Sequence, residues 1–406
     1  MISAEAYILA LNAGSSSLKF ALFAVDGLVC VLRGSINGTD GKPAFRAHGV
    51  LLDQKKPLLP DWSGAERTVA AAAHMLLHWL ETFIPVAALR AVAHRVVHGG
   101  TVTESRRVTP DLLTYLESLT PLAPLHQPQS LKIIHLLEHL YPALPQIVCF
   151  DTAFHATMPE LHRRFALPRV WHERGVRRYG FHGLSYEHAA GQLRKCAPAA
   201  FAGRAIVAHL GSGASLCALH AGKSLDTSMG FSALDGLVMG TRPGTLDAGV
   251  VLYFLRVAGM NADAIEHLLY HESGLRGVSG ISADMEILLN SADAAAREAV
   301  DLFCLRVARE AGGLISMLGG LDALVFTGGI GEHAASIRQQ IVTRLGWTGL
   351  ELDAAANAEA HGDDPMLLCA AGSRVAIWMI PADEESVMAR HARTAMAAAG
   401  QNVLLT

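Results

Sequence analysis

The chain has 406 residues, 51% of them hydrophobic and 17% charged, with a formal net charge of -4. At roughly 100–200 residues per domain this predicts two or three large domains with a sizeable buried core, and it excludes a disordered chain. The mild acidity argues against a nucleic-acid-coating or membrane-surface role, for which a basic excess is the usual footprint.

Met1 to Leu11 has neither a basic start nor a long apolar stretch, so no secretory leader is expected there. The longest apolar runs fall well short of the roughly 20 residues that span a bilayer. Six cysteines (Cys30, Cys149, Cys196, Cys217, Cys304 and Cys369) form no C-x-x-C pair. Most sit inside apolar runs as small hydrophobes, which fits a reducing, cytoplasmic compartment.

Tyr7 to Leu11 is a short apolar run, Gly14 to Ser17 a Gly/Ser turn and Leu18 to Val25 an alternating run, which together predict strand, tight turn, strand. Ala65 to Phe83 is rich in Ala and Leu and predicts a helix. Leu89 to Val97 predicts a buried strand ending at Gly99-Gly100. Leu131 to Leu140 predicts a helix and Gln146 to Phe150 a strand, with Asp151 just beyond it. Ile206 to Leu210, Gly211-Ser212-Gly213 and Ser215 to Leu219 repeat the opening pattern, with Gly211 lying 197 residues after Gly14. That offset is nearly half the chain and points to two domains of similar plan. Asp263 to Leu269 and Ala294 to Leu318 predict helices, Leu321 to Phe326 a buried strand, and Glu384 to Ala399 a closing helix. Strands alternating with helices predict an α/β fold.

No G-x-x-x-x-G-K-[ST], G-x-S-x-G or H-E-x-x-H pattern is present. Any phosphate must therefore meet other Gly-rich turns. Asn12 to Lys19 offers small residues, hydroxyls and one cation, which suits phosphate oxygens; by itself it fits an ordinary hairpin with a solvated lysine equally well. Gly211 to Gly213 follows His209, which fits a core histidine as readily as a ligand. Gly328-Gly329-Ile330-Gly331-Glu332-His333 lies between a buried strand and a helix, where helix N–H groups can face an anion. Arg95 ends an apolar strand, and burying it unpaired would be costly. Arg242 lies in the loop M-G-T-R-P-G. Two such arginines could clamp carboxylate and phosphoryl oxygens, although each alone also fits a structural role. Asp151 and His182 are polar residues among apolar neighbours.

Taken together, L-N-A-G-S-S-S-L-K-F at Leu11 to Phe20, A-P-L-H-Q-P at Ala123 to Pro128, D-T-A-F-H at Asp151 to His155, Y-G-F-H-G-L-S at Tyr179 to Ser185, D-T-S-M-G-F at Asp226 to Phe231 and F-T-G-G-I-G-E at Phe326 to Glu332 resemble the acetate kinase family over essentially the whole chain. The resemblance implies the duplicated two-domain fold of actin, Hsp70 and sugar kinases, with a cleft between domains, Mg-ATP in it and a homodimer. Residues 1–150 with the C-terminal helix 387–406 would form one domain, and 151–386 the nucleotide-binding and dimerisation domain. It implies reversible transfer of the ATP γ-phosphoryl group to acetate, giving acetyl phosphate and ADP. Propionate or butyrate kinase activity, or a non-catalytic ATP-gated binding protein on the same fold, stays open beside it.

Carried over by motif, Asp151, Arg95, His182 and Arg242 would be catalytic. Arg95, Val97, Leu125 and Phe181 would hold the carboxylate and its methyl group. Lys19, His209, Leu210, Gly211, Ser212, Gly213, Asp284, Met285, Glu286, Gly329, Ile330, Gly331, Glu332 and His333 would bind ATP or ADP. Asn12 and Glu384 would sit at the Mg2+ site, with Mn2+ able to substitute. A small carboxylate and ATP are the expected partners, with no nucleic acid and no membrane. Four positions depart from the family pattern: Ser212 and His333 stand where Asn is usual, Glu286 where Arg is usual and Ala233 where Pro is usual. Acetate is already ionised near pH 7, since its pKa is about 4–5 as for Glu. Direct attack then needs no general base, and Asp151 is expected to organise metal, water or arginine.

Overall fold

The computed structural model describes residues 6–14, 17–37, 44–55, 57, 58, 60 and 68–403, with backbone alone over 399–403. Ser15 and Ser16 of the opening turn, residues 1–5, residues 65–67 of the first expected helix and residues 404–406 of the last domain segment lie outside them. The chain forms two compact units, Met1–Ala153 with Asp383–Thr406, and Phe154–Ala382.

The first unit is built on seven strands: β1 (Tyr7–Ala13), β2 (Ser17–Ala24), β3 (Cys30–Asn37), β4 (Ala44–His48), β5 (Leu89–Val96), β6 (Arg106–Arg107) and β7 (Gln146–Phe150). Their order is β4-β3-β2-β1-β5-β7-β6. β1 to β4 pair antiparallel with one another in turn, whereas β5 is parallel to both β1 and β7. Every residue of β1 and β7 is buried, as central strands covered on both faces require. The helix Val69–Glu81 covers one face with Val69, Ala72, Ala73, Leu76, Leu77 and Leu80, an i, i+3, i+4 stripe. The Thr68 hydroxyl caps it by accepting the Ala71 N–H at 3.1 Å. Phe20, Phe45, Trp79 and Phe83 close the core with edge and tilted ring contacts at 4.9–6.3 Å. The closing helix, Glu384–Val403, packs on β1, β2, β5 and β7, which brings its first turn to the strands that carry Asn12 and Arg95.

The second unit repeats the plan with β8 (Arg204–Leu210), β9 (Ala214–His220), β10 (Lys223–Thr227), β11 (Ala323–Thr327), β12 (Met366–Leu367) and β13 (Ala376–Met379), in the order β10-β9-β8-β11-β13-β12. Again a hairpin ladder leads into two parallel pairings, β8 with β11 and β11 with β13, and ends on an antiparallel edge. The duplication suggested by one Gly/Ser turn thus extends through both sheets. The 25-residue helix Ala294–Leu318 starts at Asp293, whose carboxylate accepts the Ala295 N–H, and ends at Gly319 with φ +69°.

Several boundaries shift, such as the helix expected from Leu131, which begins at Gln127, and the strand expected from Leu321, which begins at Ala323; two further differences have clear local reasons. The glycine motif after β11 is itself a short helix, Gly328–His333, rather than a turn leading to one. Gly328 has φ +78°, and a Cβ there would lie 2.8 Å from the Leu210 carbonyl oxygen, so only glycine makes this exit from the strand. The helix predicted from Asp263 to Leu269 ends at His267 and widens into a π turn over Leu268–Glu272. Among the described residues no helix is long and apolar enough to cross a membrane.

Candidate active site

In the first unit, register decides which polar groups meet. Asn12 and Lys19 are partners across the β1–β2 hairpin, and Arg95 sits near the end of β5, opposite Cys149 of β7. Asp151 follows β7 directly. The Arg95 guanidinium donates from Nε to Asp151 Oδ1 at 3.0 Å and from Nη2 to Oδ2 at 2.6 Å, a two-pronged pairing that fixes the plane of the group. Nη1 donates to Asn12 Oδ1 at 3.1 Å. The Asn12 amide in turn donates to Glu384 Oε2 at 2.8 Å and Glu385 Oε1 at 3.1 Å. Burial alone would lower the Arg95 pKa, but the carboxylates of Asp151 and Glu384 outweigh it and hold the pKa above its ordinary value. Burial and the adjacent Glu384 push the Glu385 carboxyl upward, while Lys19 and the Asn12 hydrogen bond pull it back.

Asp151 and Glu384 thus lie against the Arg95 guanidinium, with Glu385 one hydrogen bond further off through Asn12. Among the described residues no group of three or more His, Cys, Asp or Glu side chains is arranged to hold a metal ion. The donors are nonetheless hard oxygens of the kind Mg2+ takes through one or two carboxylates, with phosphates and water completing its shell. Asn12 and Glu384 fit that requirement.

Val97 is buried and Leu125 half-buried. Gln127 ties their neighbourhoods together, because its Oε1 accepts the His98 N–H at 3.1 Å and its Nε2 donates to the His98 carbonyl at 3.0 Å.

In the second unit, His182 opens the helix Gly183–Cys196 in the left-handed conformation, φ +58°. Its Nδ1 pairs with Ser215 Oγ at 2.7 Å, and Ser215 also pairs with the Tyr186 hydroxyl. The His209 ring stacks on His182 at 4.4 Å and is held from Nδ1 by Ser185 Oγ at 2.8 Å. Arg242 donates from Nη1 to the Ala233 carbonyl at 2.7 Å. Gly213 lies against both cationic candidates: a Cβ there would be 2.9 Å from Arg242 Nη2 and 3.2 Å from His182 Nε2. The Gly240 N–H donates to the Ser212 carbonyl at 3.0 Å, so the loop carrying Arg242 is anchored to the turn after β8.

Beside these groups in the same unit is a cavity of about 790 Å³ lined by Gly211, Ser212, Ala283, Asp284, Met285, Glu286, Leu289, Asn290, Gly329, Ile330, His333 and Ala334. Eight of the expected nucleotide residues meet on its wall. Ala283, Leu289, Asn290 and Ala334 were not foreseen; they flank expected residues along the same helical turns. His209, Leu210, Gly213, Gly331 and Glu332 are not on the wall. Leu210 is buried in β8. Glu332 turns to other work, its Oε1 accepting the N–H groups of Gly328 at 2.8 Å and Ala382 at 3.0 Å. The carbonyls of Gly331 and Glu332 are both taken by Arg338, a fully buried arginine that also donates to Asn357. Phe181 is buried beside His182. Glu385, Ser185, Tyr186 and Ser215 take part in these clusters although the motifs assigned them no role.

A family model described as the acetokinase family matches residues 7–390. An acetate kinase from Rhodopseudomonas palustris is 50% identical over 393 residues, covering 95% of this chain and 97% of the relative. One from Methylocella silvestris is 44% identical over 397 residues, with coverage of 95% and 96%. Among solved structures, a propionate kinase from Francisella tularensis superposes with a TM-score of 0.83 at 34% identity, covering 95% of this chain and 98% of the other. The Porphyromonas gingivalis acetate kinase gives 0.80 at 32% identity, with coverage of 96% and 100%.

Proposed function

Since the chain belongs to the acetokinase family, we propose that it moves the γ-phosphoryl group reversibly between ATP and acetate by direct in-line displacement. The observation that carries this beyond the family match is Arg95. Its guanidinium is oriented by both oxygens of Asp151 and steadied by Asn12. A pre-oriented cation of this kind suits a carboxylate or its phosphate, and positioning with charge stabilisation is most of what phosphoryl transfer requires.

Asp151 already has both oxygens engaged, and the acetate nucleophile needs no deprotonation. Its role is to hold Arg95 in place. Arg242 and His182 offset charge on the transferring group. The adenosine and phosphates of the nucleotide occupy the cavity between Ser212 and Glu286. When bound, Mg2+ neutralises phosphate charge, and Asn12 and Glu384 are the residues that hold it, with Lys19 facing phosphate. Val97, Leu125 and Phe181 contact the acyl methyl group. Ala233, buried and smaller than the proline usual at this position, favours acceptance of propionate as a second substrate. One methylene is worth about 1–3 kcal/mol in such a pocket.

The working form is a homodimer built on the second unit. The helix Ala248–Arg256, AGVVLYFLR, buries none of its residues within the chain. Leu252, Tyr253 and Leu255 are exposed along it, flanked by Leu246 and Val257. An apolar helix left bare in this way needs covering, and a second copy of the chain is the partner we assign. All six cysteines are free thiols, which supports a cytoplasmic setting. Acyl hydroxamate formation with Mg-ATP and acetate, propionate or butyrate tests the activity.

A further inference from the structure

We propose that His155 is a positioning residue for His182, holding its backbone in the left-handed conformation and so aiming its imidazole. The inference rests on the kinase reading for its consequence, but its geometry stands separately. His182 is a non-glycine residue at φ +58°, a conformation that persists only where the surroundings over-determine it. His155 supplies much of that constraint. Its Nε2 lies 2.9 Å from the carbonyl oxygen of Phe181, the residue directly before His182. Its ring also packs on Gly180, where φ is +77° and a Cβ would lie 2.6 Å from the imidazole. The ring edge meets Tyr186 at 5.7 Å, and Tyr186 shares Ser215 with His182 Nδ1. Backbone and side chain of His182 are thus both reached from one buried ring.

His155 is itself fixed. A carbonyl only accepts, so Nε2 carries the proton and Nδ1 accepts from the Ser224 hydroxyl at 2.8 Å. Ser224 Oγ in turn lies 3.4 Å from the Cys217 thiol, which donates to it. The His155 carbonyl accepts from Arg163 Nη2 at 2.7 Å. Burial pushes the ring's pKa down to about 4, so the neutral tautomer with this polarity holds near pH 7.

The test compares full-length wild type with His155→Leu and His155→Gln in the hydroxamate assay, together with nitrogen-15 histidine NMR of His182, assigned by difference against His182→Asn. Misplacement of a reacting group by about 1 Å costs on the order of 10²-fold, and His155→Leu should lower kcat by roughly that factor while the ATP KM stays within about twofold. The His182 ring signals should move with it. His155→Gln, whose amide can still donate to the Phe181 carbonyl, should recover about tenfold of the loss. A folded His155→Leu protein with unchanged His182 signals, or a glutamine variant no better than leucine, overturns the proposal. If the leucine variant does not fold, His155→Asn replaces it, because its amide is too short to reach Phe181. A wild type inert toward every carboxylate would sink the kinase reading, and the His182 signals in the variants would still decide the positioning role.

Discussion

Arg95 and Asp151 meet from neighbouring parallel strands, with Nη2 2.6 Å from Oδ2 and Nε 3.0 Å from Oδ1. Both are well buried, the side chains being 14% and 1% exposed. Removing one member of such a pair strands a buried charge and typically costs about 3–5 kcal/mol. Asn12 and Glu384 remain beside Arg95, so Asp151→Ala should fall at the lower end of that range in denaturant unfolding. Activity should collapse in Asp151→Asn, because the two-pronged orientation is lost. Wild-type kcat should not fall as pH drops from 8 to 6, the loss that protonation of a required general base would cause. A kcat that falls through that range would point to proton transfer by a general base instead.

Two buried histidines make stability sensitive to mild acid. Burial pushes His94 and His155 down to about 4, against about 6.5 in an unfolded chain. Below pH 6.5 the unfolded state binds protons that the folded state refuses. The stabilisation is therefore complete above about 6.5 and is lost progressively as pH falls toward 4, amounting to about 3 kcal/mol per histidine. Urea unfolding at pH 7.5, 6 and 5 should show the loss, and His155→Gln should shallow the slope. A wild-type stability that is flat across that range contradicts the assignment.

Glu286 is exposed on the cavity wall, and we assign it to the ribose hydroxyls rather than to the base. One hydrogen bond contributes about 0.5–1.5 kcal/mol net, so Glu286→Ala should raise the ATP KM by about two- to tenfold. Acetate KM should hardly change. An ATP KM that does not move sinks the assignment.

The bare helix Ala248–Arg256 predicts a dimer in light scattering. Tyr253→Asp, placed at a residue 56% exposed in the single chain, should release monomers without loss of secondary structure. A wild type that runs as a monomer at micromolar concentration would leave no role for a second copy on this face.

Much of this was legible in the chain. The two Gly/Ser hairpins, the strand Gln146–Phe150 and the helix Ala294–Leu318 stood out because their apolar periods are regular and their ends carry strong breakers. β3, β4 and β10 did not, since Arg33 and Asp226 at half-buried positions and Arg46 and Lys223 at exposed ones interrupt their alternation. The helix Ala248–Arg256 drew no expectation, and its exposure is invisible until the rest of the chain is placed. Glu332 looked like a nucleotide contact by its motif, yet its carboxylate binds backbone N–H groups of Gly328 and Ala382, which are 54 residues apart. His155 closes the motif D-T-A-F-H, yet the motif gave it no role, because its partners Ser224 and Phe181 are distant in sequence.

The most direct measurement is hydroxamate formation from Mg-ATP and acetate by wild type and by Arg95→Ala, with ATP affinity measured alongside. The account predicts a fast wild-type reaction that collapses in the variant while ATP still binds. A variant that phosphorylates acetate as well as wild type, or a wild type that binds ATP yet turns over no carboxylate, would contradict it.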